Sequence, residues 1–128
     1  MTPEEVFEFN KRCAEFIGLR FDGVMYRNTY EIMSFFPHLD HSRYPNELEF
    51  HTDWNWIMEI VEKIQTLDKR GGIVMIQQGR CMITSRMFGD HSVYADISLY
   101  FKKGVKGQKE AVVQAINKFL IWYNENKN

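Results

Sequence analysis

Several features that mark specialised protein classes are scarce in this sequence. Its only cysteines, Cys13 and Cys81, lie within apolar patterns and have no C-x-x-C spacing, which predicts buried reduced thiols rather than a disulfide or a metal site. The 16 Lys and Arg residues balance 17 Asp and Glu residues, leaving a formal net charge of −1. A nearly neutral chain has no broad field to attract nucleic acid or anionic membranes, so any such binding must rest on a local patch.

Long apolar runs are also missing. No uncharged apolar stretch approaches the roughly 20 residues that a membrane span requires. The opening MTPEEVFEF has no basic region of the kind that begins a signal peptide. We therefore expect a cytoplasmic protein with no membrane partner, and its 128 residues fit a single domain over 1–128.

Aromatic residues, in contrast, are abundant. Ten Phe, six Tyr and three Trp make up 15% of the chain, and seven Met add flexible apolar bulk. One small core is not expected to enclose all of these side chains. Part of this apolar surface is therefore expected to meet a partner protein or a second copy of the chain.

Local signals predict a first helix over residues 3–17. Thr2, Pro3 and Glu5 match a capping box with proline at the first helical position, and Gly18 suits a left-handed helix end. Between them, apolar residues recur at steps of three and four. Residues 19–36 are irregular, with a short strand in GVMYRN expected near a sheet edge, and the turn-forming residues of 37–47 predict a loop.

The crowded hexapeptide HTDWNW, residues 51–56, is interpreted as the start of a second helix. Thr52 or Asp53 can cap the backbone N–H groups of the first turn. Apolar residues continue from Trp54 at helical spacing until Gly71 and Gly72. A third helix is predicted after the polar stretch KKGVKGQ, with a wide apolar face and a fraying end at NENKN.

The strands are predicted between these last two helices. IVMIQ and RCMITSRM, separated by a turn at Gln78-Gly79-Arg80, indicate a β-hairpin. SVYADISLYF, residues 92–101, alternates apolar and polar positions and is interpreted as a third strand, although its apolar residues four apart leave a helix open. The expected fold class is α+β, with a small antiparallel sheet of three or four strands packed with three helices.

Three stretches carry a resemblance to a known group. AEFIGLRF, FHTDWNWIMEIVEKI and KFLIWYNE, together with the hairpin, resemble small uncharacterised proteins of bacteriophages, prophages and gut bacteria. The layout is similar to phage domains described as α-β-α sandwiches. The resemblance covers most of the chain and implies this fold and an origin in a mobile element. It implies no activity and no catalytic residue.

Metal binding has only a weak signal. An H-x-x-H pattern on a loop lacks the fixed helical geometry of established zinc motifs, and no cysteine lies nearby to complete a set. We therefore expect solvated loop and capping residues, no metal and no cofactor. The competent ligands are His38, Asp40, His41, His51 and Asp53.

Acid–base catalysis is retained as an alternative. It needs a base, an orienting group and a nucleophile in contact. His51 with Asp53, and His91 with Asp90, form the polar cluster to test. A histidine just before a helix is more often a capping or solvent-facing side chain, so no catalytic residue is assigned.

A basic segment makes nucleic-acid binding a second alternative. Gly104 and Gly107 have the G-x-x-G spacing of the backbone clamp in KH domains, but that clamp joins two helices, whereas a strand is predicted before this one. An ordinary connection with solvated lysines is therefore favoured. The lysines are Lys102, Lys103, Lys106 and Lys109.

The aromatic residues provide the favoured functional hypothesis. Trp54, Trp56, Tyr94 and Tyr100 are the candidate interaction residues. The two tyrosines fall on the polar face of the third predicted strand, where they form a contact surface if no helix covers that face and a core if one does. The sequence thus favours a protein-binding accessory module without catalysis, which binds an unknown protein or associates with itself.

Overall fold

The computed structural model describes residues 1–28, 36–39, 41–66, 73–77, 80–86, 94–100 and 105–126. Contacts between residues divide the chain into two compact units, Met1–Ile60 and Val61–Asn128. The single domain predicted over 1–128 stays a prediction. The helices are α1 (Pro3–Ile17), α2 (Trp54–Gln65) and α3 (Val105–Asn126), and the strands are β1 (Arg20–Phe21), β2 (Tyr26–Arg27), β3 (Ile73–Gln77), β4 (Arg80–Arg86) and β5 (Tyr94–Tyr100).

The predicted α+β class is confirmed by these elements. α1 has the predicted bounds because both of its ends are closed by local interactions. The backbone N–H of Glu5 donates to Thr2 Oγ1 at 3.2 Å, and the Thr2 N–H donates to Glu5 Oε1 at 3.3 Å. Gly18 ends the helix with φ 90°, a left-handed conformation that costs glycine little. Phe9 and Cys13 are fully buried on its apolar face, and both cysteines are free buried thiols as predicted.

The strand predicted in GVMYRN exists, but it does not lie at the edge of the larger sheet. β2 pairs antiparallel with β1, with Phe21 opposite Tyr26, to form a separate two-stranded sheet. The physical reason is the short turn over residues 22–25, which joins the register partners Phe21 and Tyr26 and folds the chain back at once. The predicted loop over 37–47 holds a bridge between Arg43 and Tyr26 and a 3-10 turn at Pro45–Glu47.

An aromatic cluster occupies the first unit. The ring centres of Phe36, Phe50 and Trp56 lie 4.9 to 5.5 Å apart, in edge-to-face and stacked arrangements. The Arg43 guanidinium lies over the Trp56 ring at 4.9 Å from its centre. Asn28 orients the segment that carries Phe36, because its Oδ1 accepts the Phe36 N–H at 2.7 Å while its Nδ2 donates to a carbonyl three residues further on.

The second unit contains the larger sheet. Its strands run β3-β4-β5, antiparallel throughout, and α3 packs on β4 and β5. Cys81 and Ile83 of β4 are fully buried. The predicted hairpin and third strand are confirmed, and the helical alternative for 92–101 is wrong over Tyr94–Tyr100. The predicted hairpin turn at residues 78–79 lies outside the described residues.

Two helix boundaries differ from the prediction. α3 begins at Val105, inside the expected linker, and continues through Asn126, where Asn126 Nδ2 donates to the Trp122 carbonyl at 2.8 Å. Its apolar face keeps the helix packed on the sheet. α2 ends at Gln65, before the predicted glycine stop, because Thr66 donates to the Lys63 carbonyl from both its backbone N–H and its hydroxyl.

Among the described helices, the structure contains none that is both long and apolar enough to cross a membrane.

Candidate functional site

The hexapeptide at residues 51–56 serves mainly to begin α2. Asp53 Oδ1 accepts a hydrogen bond from the backbone N–H of Asn55 at 2.8 Å, one residue into the helix that begins at Trp54. This is the geometry of an N-cap, in which the carboxylate also faces the positive end of the helix dipole. The predicted capping role of Asp53 is therefore confirmed.

The His51 ring hydrogen-bonds to a different partner. Asn10 Nδ2, on α1, donates to His51 Nδ1 at 3.0 Å. With the Asn10 amide in this orientation Nδ1 is the acceptor, which corresponds to the neutral tautomer with its proton on Nε2. Partial burial lowers the pKa of His51, and the Glu49 carboxylate opposes this effect only in part. Burial thus favours the neutral form of His51. Within the described residues no hydrogen bond joins its ring to Asp53.

Asn10 is the polar residue of the buried α1 face, and it was not predicted from the sequence. Its amide nitrogen bonds His51, whereas its buried Oδ1 meets no hydrogen-bond donor among the described parts of the chain. A buried amide oxygen without a donor costs about 1 to 3 kcal/mol. The only sequence signal is the position of Asn10 three residues before Cys13, on the same helical face.

The Asn10–His51 pair does not form a nucleophilic site with its nearest chemical candidate on α1. Burial raises the pKa of the Cys13 thiol well above its ordinary value, so this cysteine stays a thiol rather than becoming the reactive thiolate. Asp53, which the catalytic alternative pairs with His51, caps α2. His91 and Asp90 lie outside the described residues. The hydrogen bond between Asn10 and His51 therefore fits a structural role, in which it holds residue 51 against α1.

The side chains considered as competent metal ligands have other contacts where the structure describes them. His38 Nε2 lies 3.3 Å from Glu59 Oε1, and the His38 ring packs edge-on against Phe36. Asp40 lies outside the described residues. Over the ranges that the structure describes, no group of three or more His, Cys, Asp or Glu side chains is placed to hold a metal ion.

The four aromatic candidates differ in how far their side chains are buried. Trp56 is 2% exposed and packs within the aromatic cluster, so its prediction as an interaction residue is corrected to a core role. Trp54 is half-buried. Tyr94 and Tyr100 end β5, with Arg86 and Arg80 as their register partners on β4. The side chains of both tyrosines lie outside what the structure describes.

Exposed apolar side chains occur instead on the β1–β2 hairpin. Phe21 is 48% exposed and Val24 is 60% exposed. We call residues 21–25 the hairpin tip. The Phe21 ring rests on the buried Tyr26 ring, with 4.8 Å between their centres, so one face is supported while the remainder meets solvent. A large apolar side chain placed in this way is a typical protein-contact group.

Asp22 holds the backbone of the hairpin tip. Its Oδ1 accepts the N–H groups of Val24 at 2.9 Å and Met25 at 2.8 Å, while Oδ2 accepts Arg27 Nε at 2.6 Å. Gly23 supplies the positive φ of 99° that the turn requires. The Met25 N–H first, and then Arg27 and the Val24 N–H, hold the pKa of Asp22 well below its ordinary value.

Most lysines of the basic segment have side chains outside the described residues. Lys102 and Lys103 lie outside the described residues, as does the Lys106 side chain. Lys109 is half-buried on α3. Gly107 lies within the first turn of α3, so it is not part of a loop like the clamp of a KH domain. Nucleic-acid binding through these lysines stays an untested alternative.

Comparison with known proteins gives no relative to transfer a function from. No family model, no curated protein and no solved structure matches this chain. The predicted relation to phage and prophage proteins therefore stays a prediction. Any functional proposal must rest on the surfaces described above.

Proposed function

We propose that this chain is a protein-binding module without catalytic activity, an accessory protein of the phage or prophage type. Its partner binds the hairpin tip. One observation carries the proposal, which is that Phe21 and Val24 present apolar surface from a turn whose backbone Asp22 fixes. The resemblance of three sequence stretches to phage and prophage proteins supports the proposed origin.

A fixed turn favours binding for an entropic reason. Ordering a mobile loop at an interface consumes part of the favourable interaction energy. Here the Asp22 carboxylate and the Asp22 N–H to Met25 carbonyl bond, at 3.1 Å, order the turn before a partner arrives. The apolar side chains are thus presented without that loss.

The chemistry of the surface indicates the kind of partner pocket. Phe21 and Val24 require an apolar cavity in the partner, because neither side chain has a polar group to pair. A projection this small buries a limited area, as in weak or transient complexes. Phe21→Ala is expected to cost about 2 kcal/mol of binding free energy, roughly 30-fold in affinity.

The test compares matched surface variants. The chain is immobilised and exposed to bacterial host lysate, and retained proteins are identified by mass spectrometry and titrated after purification. The Phe21→Ser, Val24→Ser double variant is expected to lose the retained protein. Met58→Ser is the control, because Met58 is 44% exposed and lies on α2, away from the hairpin in sequence.

Three results would contradict the proposal. The first is that the wild-type chain retains nothing beyond the bare resin. The second is equal retention by the wild type and the hairpin double variant. The third is an equal loss in the Met58→Ser control, which would indicate general adhesion of apolar surface rather than recognition of the hairpin tip.

A further inference from the structure

We propose that the edge of β3 opposite β4 pairs with the same edge of a second chain, in an antiparallel arrangement with its two-fold axis at Met75. Self-association is one of the two partner classes that the sequence predicts, and this strand gives it a location. In the described part of the chain, β3 has a neighbouring strand, β4, on one side only. An edge strand presents backbone N–H and C=O groups that another strand can pair.

An antiparallel pairing centred on Met75 places apolar residues opposite one another. With Met75 opposite Met75 of the second copy, Val74 falls opposite Ile76 of the second copy, and all five positions of β3 are paired. Within one chain, Met82 of β4 is already the register partner of Met75. Pairing the two edges therefore continues a row of methionine positions across the two-fold axis.

The other face of the sheet is continued as well. Val74 and Ile76 are register partners of Ile83 and Cys81, which are both fully buried. Ile76 is nevertheless 36% exposed, and Met75 on the opposite face is 43% exposed. The apolar row that is buried on β4 is thus incompletely covered on β3, and the edge of a second copy completes it.

The absence of charge from β3 favours a second copy as the occupant of this edge. In a symmetric pair, any charge at the centre of the strand lies close to the same charge on the partner, and like charges directly opposite are destabilising. The sequence IVMIQ has no charged residue and no proline. Natural sheets protect exposed edges with lysine, proline or bulges, and their absence from β3 leaves it compatible with itself.

Opposite charges at Met75 provide a direct test. The mass in solution of the wild-type chain is expected to rise from one chain to two with concentration, as measured by sedimentation velocity. Met75→Lys and Met75→Glu are each expected to lose the dimer, because like charges then meet on the axis. An equimolar mixture of the two variants is expected to recover it, and Met58→Lys is expected to leave it unchanged.

A disulfide provides a second test that does not depend on charge. Opposed Cα atoms in antiparallel strands lie about 4.5 to 5.5 Å apart, within the range that a disulfide bridges. Met75→Cys is therefore expected to cross-link two chains under mild oxidation. Met58→Cys serves as the control for random collision, since the native cysteines are buried.

The proposal is overturned by a wild-type chain that stays monomeric at every concentration. It is also overturned if Met75→Lys alone still dimerises, or if Met75→Cys cross-links no faster than Met58→Cys. Folding of each variant is checked by far-UV circular dichroism. Failure here would leave binding at the hairpin tip untouched, because that surface lies in the other compact unit.

Discussion

At the scale of single residues, the hexapeptide HTDWNW divides into separate structural tasks. Asp53 caps α2, Trp56 packs in the aromatic cluster, and His51 reaches back to Asn10 on α1. Local rules predict the cap, because it needs only residues that are adjacent in sequence. They do not predict the His51 contact, since Asn10 lies 41 positions away.

Of the two tryptophans in this segment, the one predicted as the main core anchor is the more exposed. Helical spacing favours Trp54 as the anchor, yet the structure leaves Trp54 half-buried and encloses Trp56. The reason is tertiary, because Phe36, Phe50 and Arg43 surround the Trp56 ring. No pattern within α2 indicates these contacts.

We expect Trp56→Ala to lower the free energy of unfolding by about 3 to 5 kcal/mol. The substitution removes a large buried ring and leaves a cavity among rigid aromatic neighbours. Urea denaturation followed by circular dichroism measures the change. Trp54→Ala is the matched control and should cost less, so an equal or larger effect at Trp54 would contradict this assignment.

At the scale of elements, helices are predicted best and the short hairpin least well. α1 follows from its capping box and glycine stop, both of which are local. The β1–β2 hairpin has strands of two residues, too short to show alternation. Its signal is Gly23, whose positive φ suits a turn, but the exposure of Phe21 and Val24 depends on packing that this glycine does not specify.

The role of Asp22 in this hairpin can be tested with two substitutions. Asp22→Ala removes every side-chain acceptor and should accelerate amide hydrogen exchange at Val24 and Met25. Asp22→Asn keeps an oxygen for these N–H groups but loses the ion pair with Arg27. NMR exchange measurements should therefore rank protection as wild type, then Asp22→Asn, then Asp22→Ala.

The depressed pKa of Asp22 also gives this turn a defined pH response. A carboxyl group whose folded pKa is lowered contributes stability above its ordinary value of 3.8, and loses it as the pH falls through the folded value. The turn should therefore remain ordered as the pH falls below 3.8. Equal exchange rates in Asp22→Ala and the wild type would contradict the proposed role of the carboxylate.

At the scale of the whole molecule, the boundary between the two compact units falls inside α2. One unit ends at Ile60 and the other begins at Val61, whereas α2 runs from Trp54 to Gln65. A domain linker is ordinarily exposed and irregular. The boundary inside α2 is therefore unlike a domain linker. The chain length predicts a single domain, but it gives no information about where such a boundary lies.

We expect the two units to unfold in one cooperative transition, as a single domain does. The tryptophans allow each unit to be observed separately. A variant that keeps only Trp56 reports the first unit, and one that keeps only Trp122 reports the second, with phenylalanine at the other two positions. Their fluorescence midpoints should coincide with each other and with the midpoint from circular dichroism.

Two separate midpoints would show that each unit folds as its own domain.

The fold class was predictable because strand alternation and helical spacing are local patterns in the sequence. The candidate contact surfaces were not, because exposure of Val24 or Ile76 is decided by what the remaining elements leave uncovered.

The hydrogen bond between Asn10 and His51 couples an amide orientation to a charge. In the neutral ring of His51, Nδ1 accepts a hydrogen bond from Asn10 Nδ2. A protonated ring has a hydrogen at that position, so Asn10 would have to turn its carboxamide over and offer Oδ1. That rotation would give the buried oxygen its missing donor. Protonation of Nδ1 would therefore require the Asn10 carboxamide to rotate for the contact between α1 and residue 51 to be kept.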